Sequence, residues 1–340
     1  MQTIPPFDET AAQAARARQD QLTKPQGSLG RLEELTVQLA GMTGQTIPDV
    51  EPPVIFVYAA DHGIAKHGVS AYPAEVTAQM VYNFARGGAV INVLARDLGA
   101  KLIVTDVGVM SDFPDDLPIC HAKIRRGTAD WTEEPAMTEQ ELRQALDVGA
   151  RLFAEAGDVG LCLVGEMGIG NTTTAAALSA ALLGNDPVAL VGRGTGVDDA
   201  GVVRKLSVIR QGLARHEALT DPTEFLAALG GLEIAAMTGT ILASAAARTP
   251  ILLDGFITTA AALAAVRLNP AVRSYLIAAH CSPEPGHGVL LNHLGLTPLL
   301  DLRLRLGEAS GAALALPLVR MAATIHRDVA TFGEAGVSDK

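Results

Sequence analysis

Four acids in this chain stand where chemistry is possible. Glu308 lies in LRLGEASGAALA, residues 304–315, between Gly307 and Ala309, with Leu306 before it and the run GAALALPL after it. A carboxylate in so apolar a setting is partly desolvated, which raises its pKa toward the range useful to a general base. The competing expectation is that Glu308 caps the helix that follows. Asp61, Glu166 and Asp254 each come just after a short apolar run: VIFVYAA (54–60), LCLVG (161–165) and PILL (250–253). If those runs are neighbouring strands, the three acids sit along one edge of a sheet.

Two glycine-rich loops offer sites for an anion. GEMGIGNTTTAAA, residues 165–177, follows an apolar run and opens an alanine-rich helix, so the amides of Gly168 to Thr172 point at whatever binds there. Such a helix N-terminus contributes roughly 0.3–1 kcal/mol to anion binding when exposed and up to about 2 when partly buried. Gly165, Gly170 and Thr172 are in register with a nucleoside-triphosphate loop, but Asn171 stands where that loop needs lysine. A phosphate monoester fits this loop better than a triphosphate. The second loop, GRGTGVDDAGVVRK (192–205), joins Gly194, Thr195 and Gly196 to the cations Arg193, Arg204 and Lys205. Asp198 and Asp199 read as acids at the N-terminus of the next helix.

Other donor clusters carry less. Asp61-His62-Gly63, His67-Gly68-Val69-Ser70 and HCSPEPGH (280–287) contain metal-ligand types. The two prolines and the want of a matching second cluster make HCSPEPGH a turn, so no metal and no other cofactor is expected. No GxSxG nucleophile elbow is present. Met80 and Phe84 share a helical face that belongs to the core or walls an aromatic ligand.

The elements that must position these groups follow from hydrophobic pattern. Residues 9–42 read as helix, interrupted at Lys24 to Gly30, and a helix-like segment runs from Pro73 to Leu98. Thr138-Glu139-Gln140-Glu141 is a capping box opening a helix toward Ala156. KLIVTDVGV and SYLIAAH add to the apolar runs already named. Strands alternating with helices at this spacing predict an α/β, doubly wound, mainly parallel sheet covered on both faces. Such sheets bind ligands outside the carboxyl ends of their strands.

Composition narrows the function classes. The formal charge of −11 with no offsetting basic run argues against nucleic acid as a partner, so an anionic ligand must be held by local donors. Aromatics are only 4% of the chain, leaving the core to Ala, Leu, Val and Ile. Three widely spaced cysteines, Cys120, Cys162 and Cys281, fit free thiols in a reducing cytoplasm. The opening residues carry no hydrophobic signal core, and apolar runs are too broken to span a membrane. A cytoplasmic protein is expected.

Taken together, these segments resemble the nicotinate-nucleotide–dimethylbenzimidazole phosphoribosyltransferases of cobalamin biosynthesis. The resemblance runs nearly end to end, through KPQGSLGRLE, ADHGIAKHGVSAYPAEVTAQMVYNFARGGAVINVLAR, GEMGIGNTTTAAA, GRGTGVDDAG, LDGFITTAAAL, HCSPEPGH and LLDLRLRLGEASGAALALPL. It implies transfer of ribose 5-phosphate from nicotinate mononucleotide to a nitrogen of 5,6-dimethylbenzimidazole, with nicotinate leaving and the configuration at the anomeric carbon inverted. It also implies a homodimer, a Rossmann-like domain over residues 46–289, and a small helical domain built from residues 1–45 with 290–340.

Under the resemblance, Glu308 matches the general base. Glu166 and Asp254 contact the ribose hydroxyls or the charge that develops on the sugar. Phosphate is held by the amides of Gly168, Gly170, Asn171 and Thr172 and of Gly194, Thr195 and Gly196, with Lys205 supplying charge. Ser70, Tyr72, Gln79 and Met80 align with the segment that meets the acceptor ring, Gln79 bonding a ring nitrogen and Met80 packing on its face. Ala309-Ser310 departs from the glycine common in the family after the glutamate. Competing readings are transfer to another benzimidazole, adenine or a phenol; a non-catalytic nucleotide sensor, which loss of Glu308 would have favoured; and a dinucleotide oxidoreductase, for which G-x-G-x-x-G should follow the first strand where Asp61-His62-Gly63 stands.

Overall fold

The computed structural model describes residues 3–194 and 196–338. Among them six strands are formed: β1 Pro53–Ala60, β2 Lys101–Gly108, β3 Cys120–His121, β4 Leu161–Met167, β5 Ile251–Leu253 and β6 Leu276–Ala278. The first helices are α1 Glu9–Gln21, α2 Arg31–Thr43, α3 Val76–Ala85, α4 Val90–Asp97 and α5 Glu139–Glu155. Then come α6 Asn171–Leu183, α7 Asp199–Arg215, α8 Pro222–Leu229 and α9 Leu232–Ala246. The chain closes with α10 Phe256–Leu268, α11 Pro285–Leu294, α12 Ser310–Asp328 and α13 Phe332–Ala335.

The strands make one sheet in the order β3-β2-β1-β4-β5-β6, and every neighbouring pair is parallel. Every residue of β1 is buried, as a strand covered on both faces requires. The order reverses direction between β1 and β4, and the crevice there is the place where such sheets bind ligands. The turn leaving β1 carries Asp61 and His62; the end of β4 carries Glu166.

Local chemistry explains the helix starts. Thr138 and Glu141 close the reciprocal capping box of α5 (Thr138 N to Glu141 Oε2, 2.7 Å; Glu141 N to Thr138 Oγ1, 3.2 Å). Asp198 caps α7 by accepting from Gly201 N at 2.8 Å. The Pro73–Leu98 segment is two helices, α3 and α4, because the chain turns at Gly87 and Gly88 between them. Glu166 is the sixth residue of the seven-residue β4, not the residue after it, since pairing with β1 continues to Ala59↔Met167.

Helices from the two ends of the chain lie together. α1 and α12 both pack on α2. Gln19 Nε2 is 3.0 Å from His326 Nδ1, and Thr36 Oγ1 donates to Ala322 O at 3.0 Å. α12 also reaches α4, β4 and β5, so the helix that follows Glu308 is set between α2, α4 and the sheet. No helix among the described residues is long and apolar enough to cross a membrane.

Candidate active site

The loop 307–309 lies directly on β4. A side chain at Gly165 would bring its Cβ within 2.3 Å of Ala309 N, so only glycine lets the loop backbone settle there. Gly307 has φ +85°, and a Cβ on it would stand 2.6 Å from Glu166 Oε1. Glu308 and Ala309 follow at φ +63° and +66°, left-handed conformations that cost a side-chain-bearing residue about 1–2 kcal/mol each. Packing on both sides holds this strained turn, as is common where side chains are aimed for function. The departure from glycine at Ala309 is therefore a departure at a position whose backbone favours glycine.

Glu308 does not cap α12. Asp254 does that work: its Oδ1 accepts from Gly311 N at 2.6 Å and Ala312 N at 3.0 Å. Glu308 is instead buried, with Oε2 making no hydrogen bond among the described residues. Burial raises its pKa, and the Ile91 amide in the first turn of α4 pulls the other way. Glu166 is buried beside it and accepts from Asn171 Nδ2. Burial first, then the charges of Asp254, Glu233 and Glu308, push Glu166 well above the usual carboxylate range; the Asn171 bond opposes them. Burial likewise lifts Asp254 to about 7, against its backbone hydrogen bonds. Like charges in a desolvated site cannot all ionise together, so protons are retained in this cluster near neutrality.

A cleft at the switch point is lined by Glu166, Gly168, Asn171, Thr172, Gly194 and Gly307, among others. These bring together residues from both predicted anion loops and the first of the acids. Lys205 is buried behind them, Nζ 3.2 Å from Thr172 Oγ1 and 3.4 Å from Gly192 O. Burial lowers its pKa, and the nearby Glu284 carboxylate draws it back up. Gly170 opens α6 at φ +101° and rests against His62. Gly196 lines an adjoining cleft with Arg193 and Asp199, while Thr195 lies outside the described residues.

The predicted acceptor segment sits beside this cleft but does not line it. Tyr72 is 56% exposed and Gln79 is exposed, so neither is held by protein packing; Met80 packs partly against the core. Ser70 Oγ accepts from Tyr72 N at 3.2 Å. Thr77, at the start of α3, ties the segment to the anion loop by accepting from Ile169 N at 3.1 Å. Glu308 and Asp254 stand one residue behind the lining positions Gly307 and Gly255.

Arg305 and Ser282, not singled out by sequence, line the cleft, as do His280 and Glu284, which the sequence offered only as metal-ligand types in HCSPEPGH. Arg305 was signalled only by lying three residues before Glu308. Under the loop, His62 is buried with Nδ1 3.1 Å from Thr174 Oγ1, and Nε2 stands 2.8 Å from Glu233 Oε1 without hydrogen-bond alignment. HCSPEPGH is a folded turn: His287 accepts from Ser282 N at 2.9 Å and lies 3.1 Å from Thr259 Oγ1, which occupies both ring nitrogens. No group of three or more metal-ligating side chains converges among the described residues.

An all-parallel α/β sheet with glycine loops and buried carboxylates at its switch point is the layout of a protein that binds a small molecule there. The family model described as Phosphoribosyltransferase matches residues 4–337, and the chain belongs to that family. It is 52% identical to the nicotinate-nucleotide–dimethylbenzimidazole phosphoribosyltransferase of Chloroflexus aurantiacus, over 99% of this chain and 97% of that one. Identity to the protein of the same name from Xanthomonas axonopodis pv. citri is 55%, over 98% and 96% of the two chains. The crystal structure of CobT from Thermus thermophilus superposes with a TM-score of 0.94 at 48% identity, covering 97% of this chain and all of that one.

Proposed function

We propose that the chain transfers ribose 5-phosphate from nicotinate mononucleotide to 5,6-dimethylbenzimidazole, forming α-ribazole 5′-phosphate and nicotinate. The observation that carries this reading is the buried Glu308, held at positive φ against β4 with one oxygen making no hydrogen bond among the described residues, beside a cleft lined by residues of both glycine loops. The names of its relatives supply the substrates.

In the reaction one nitrogen of the benzimidazole attacks the anomeric carbon while Glu308 accepts the proton from the other. The bond from that carbon to the nicotinate nitrogen breaks, and its electron pair leaves with nicotinate, whose ring becomes neutral. Inversion in one step turns the β-linked donor into the α-linked product. Lys205 and the loop amides hold the phosphate; Glu166 and Asp254 face the ribose and its developing positive charge. Alignment of the two substrates and stabilisation of that charge supply the rest of the acceleration.

Ser70, Tyr72, Gln79 and Met80 form the acceptor side, reached across Thr77. The same reading makes residues 1–45 with 290–340 a small helical domain and 46–289 the Rossmann-like domain, supported by the packing of α1 and α12 on α2. It makes the protein cytoplasmic and a homodimer; Val90 and Val93 on α4 and Leu314 and Met321 on α12, two helices in contact, are exposed apolar side chains that a second subunit would cover. The test is chromatography of purified protein with both substrates. Free nicotinate and the ribotide should form together. Absence of both with 5,6-dimethylbenzimidazole, another benzimidazole, adenine and a phenol alike would contradict the transferase.

A further inference from the structure

Glu284 is an acid in the middle of an anion site. Its Oε1 accepts from Gly194 N at 2.9 Å, across 90 residues of sequence. Its Oε2 is buried and makes no hydrogen bond among the described residues. That oxygen lies flush on the backbone of Gly192, where a Cβ would come within 2.2 Å of it. Lys205, whose Nζ is 3.4 Å from Gly192 O, feels its charge. The carboxylate thus engages the amide, and its charge acts on the ammonium, that the proposed donor's phosphate would use.

We propose that Glu284 is a resident stand-in for phosphate, occupying the Gly194 amide and yielding it when the donor's phosphate binds. This rests on the donor assignment made above. One N–H has one proton to give, and a carboxylate and a phosphate oxygen compete for it on equal chemical terms. A buried ammonium without a counter-charge is costly, so the carboxylate stabilises Lys205 and keeps the loop formed until the donor arrives. On displacement Glu284 turns toward the adjoining cleft, which it lines together with the cations Arg193 and Arg305. A ligand without phosphate has nothing to exchange for the carboxylate, so Glu284 selects for the phosphorylated donor. The product keeps the phosphate, and the returning carboxylate helps to expel it.

The experiment titrates inorganic phosphate into the full-length protein by calorimetry, for wild type, Glu284→Gln and Glu284→Ala, with melting temperature as the check on folding. Removing the competing charge should tighten phosphate about tenfold in both variants, the size expected for losing one like charge in a half-buried site. Because donor, transition state and product all keep the phosphate and gain equally, KM for nicotinate mononucleotide should fall about tenfold with kcat no higher than wild type, so that kcat/KM rises. Phosphate affinity equal to wild type or weaker in both folded variants, including no measurable binding anywhere, would overturn the proposal; so would a raised donor KM, which would mark Glu284 as a group that stays and contacts the substrate. Lys205→Ala separates the two readings. If Lys205→Ala binds phosphate as wild type does, the cradle itself is wrong; if it loses phosphate while Glu284→Gln gains nothing, only the exchange falls.

Discussion

On the β4–β5 side of the cleft, Glu166, Asp254 and Glu308 are buried carboxylates whose nearest charges include one another, and burial raises all three. On the opposite side, Gly168, Asn171, Thr172 and Gly194 of the two glycine loops line the cleft in front of the buried Lys205 ammonium, whose pKa burial lowers. Desolvation acts on both sides, but to different ends. It raises the proton affinity of the acids, and it leaves the buried ammonium of the cradle in want of an anion. The acid side is therefore where bonds change, and the donor side is where substrate is held. Substitutions on the two sides should separate rate from affinity.

The largest effect is expected at Glu308. Glu308→Gln keeps the side chain's size and removes its basicity, so steady-state kcat should fall by about 10²–10⁴-fold. Lys205→Ala should do the reverse, raising KM for nicotinate mononucleotide by roughly 10–100-fold, the worth of one charge-assisted hydrogen bond, with kcat changed far less. A kcat effect there matching that of Glu308→Gln would erase the division between the sides.

Asp254 sharpens the comparison from the stability side. Its pKa is raised from 3.8 to about 7 by folding, so the folded protein binds the proton more tightly than the unfolded chain. Its contribution to stability is full below about pH 4 and is lost progressively as pH rises to about 7. Asp254→Asn keeps an acceptor for the Gly311 and Ala312 amides but cannot titrate. Thermal melts should show the melting temperature of Asp254→Asn rising relative to wild type across that window; a constant difference would mean that Asp254 is ionised throughout. The smallest effect belongs to Ala309→Gly, at φ +66°. Relief of the left-handed strain is partly offset by the extra freedom of the unfolded chain, leaving a stabilisation of no more than about 1 kcal/mol in thermal melts.

Much of the donor side was legible because its signals are local. The glycine loop, the helix start at Asn171 and the cap at Asp198 all lie within a few residues of the groups they organise. The long strands β1 and β4 announced themselves as apolar runs. β3 did not, since two residues have no periodicity. The acid side was legible as residue types but not as geometry. That Asp254 serves α12, that Ile91 faces Glu308 and that Gly165 receives the 307–309 loop are contacts between distant segments. The Glu284 bond to Gly194 is of the same kind, and a string read as a turn with metal-ligand types supplied it.

The most direct test of the account pairs two readings on Glu308→Gln: donor affinity by titration with nicotinate mononucleotide, and the rate of nicotinate release in a single turnover with 5,6-dimethylbenzimidazole present. The account predicts wild-type donor affinity with the single-turnover rate down by about 10²–10⁴-fold. A rate equal to wild type would contradict it, and so would a loss of donor affinity large enough to account for the slower rate.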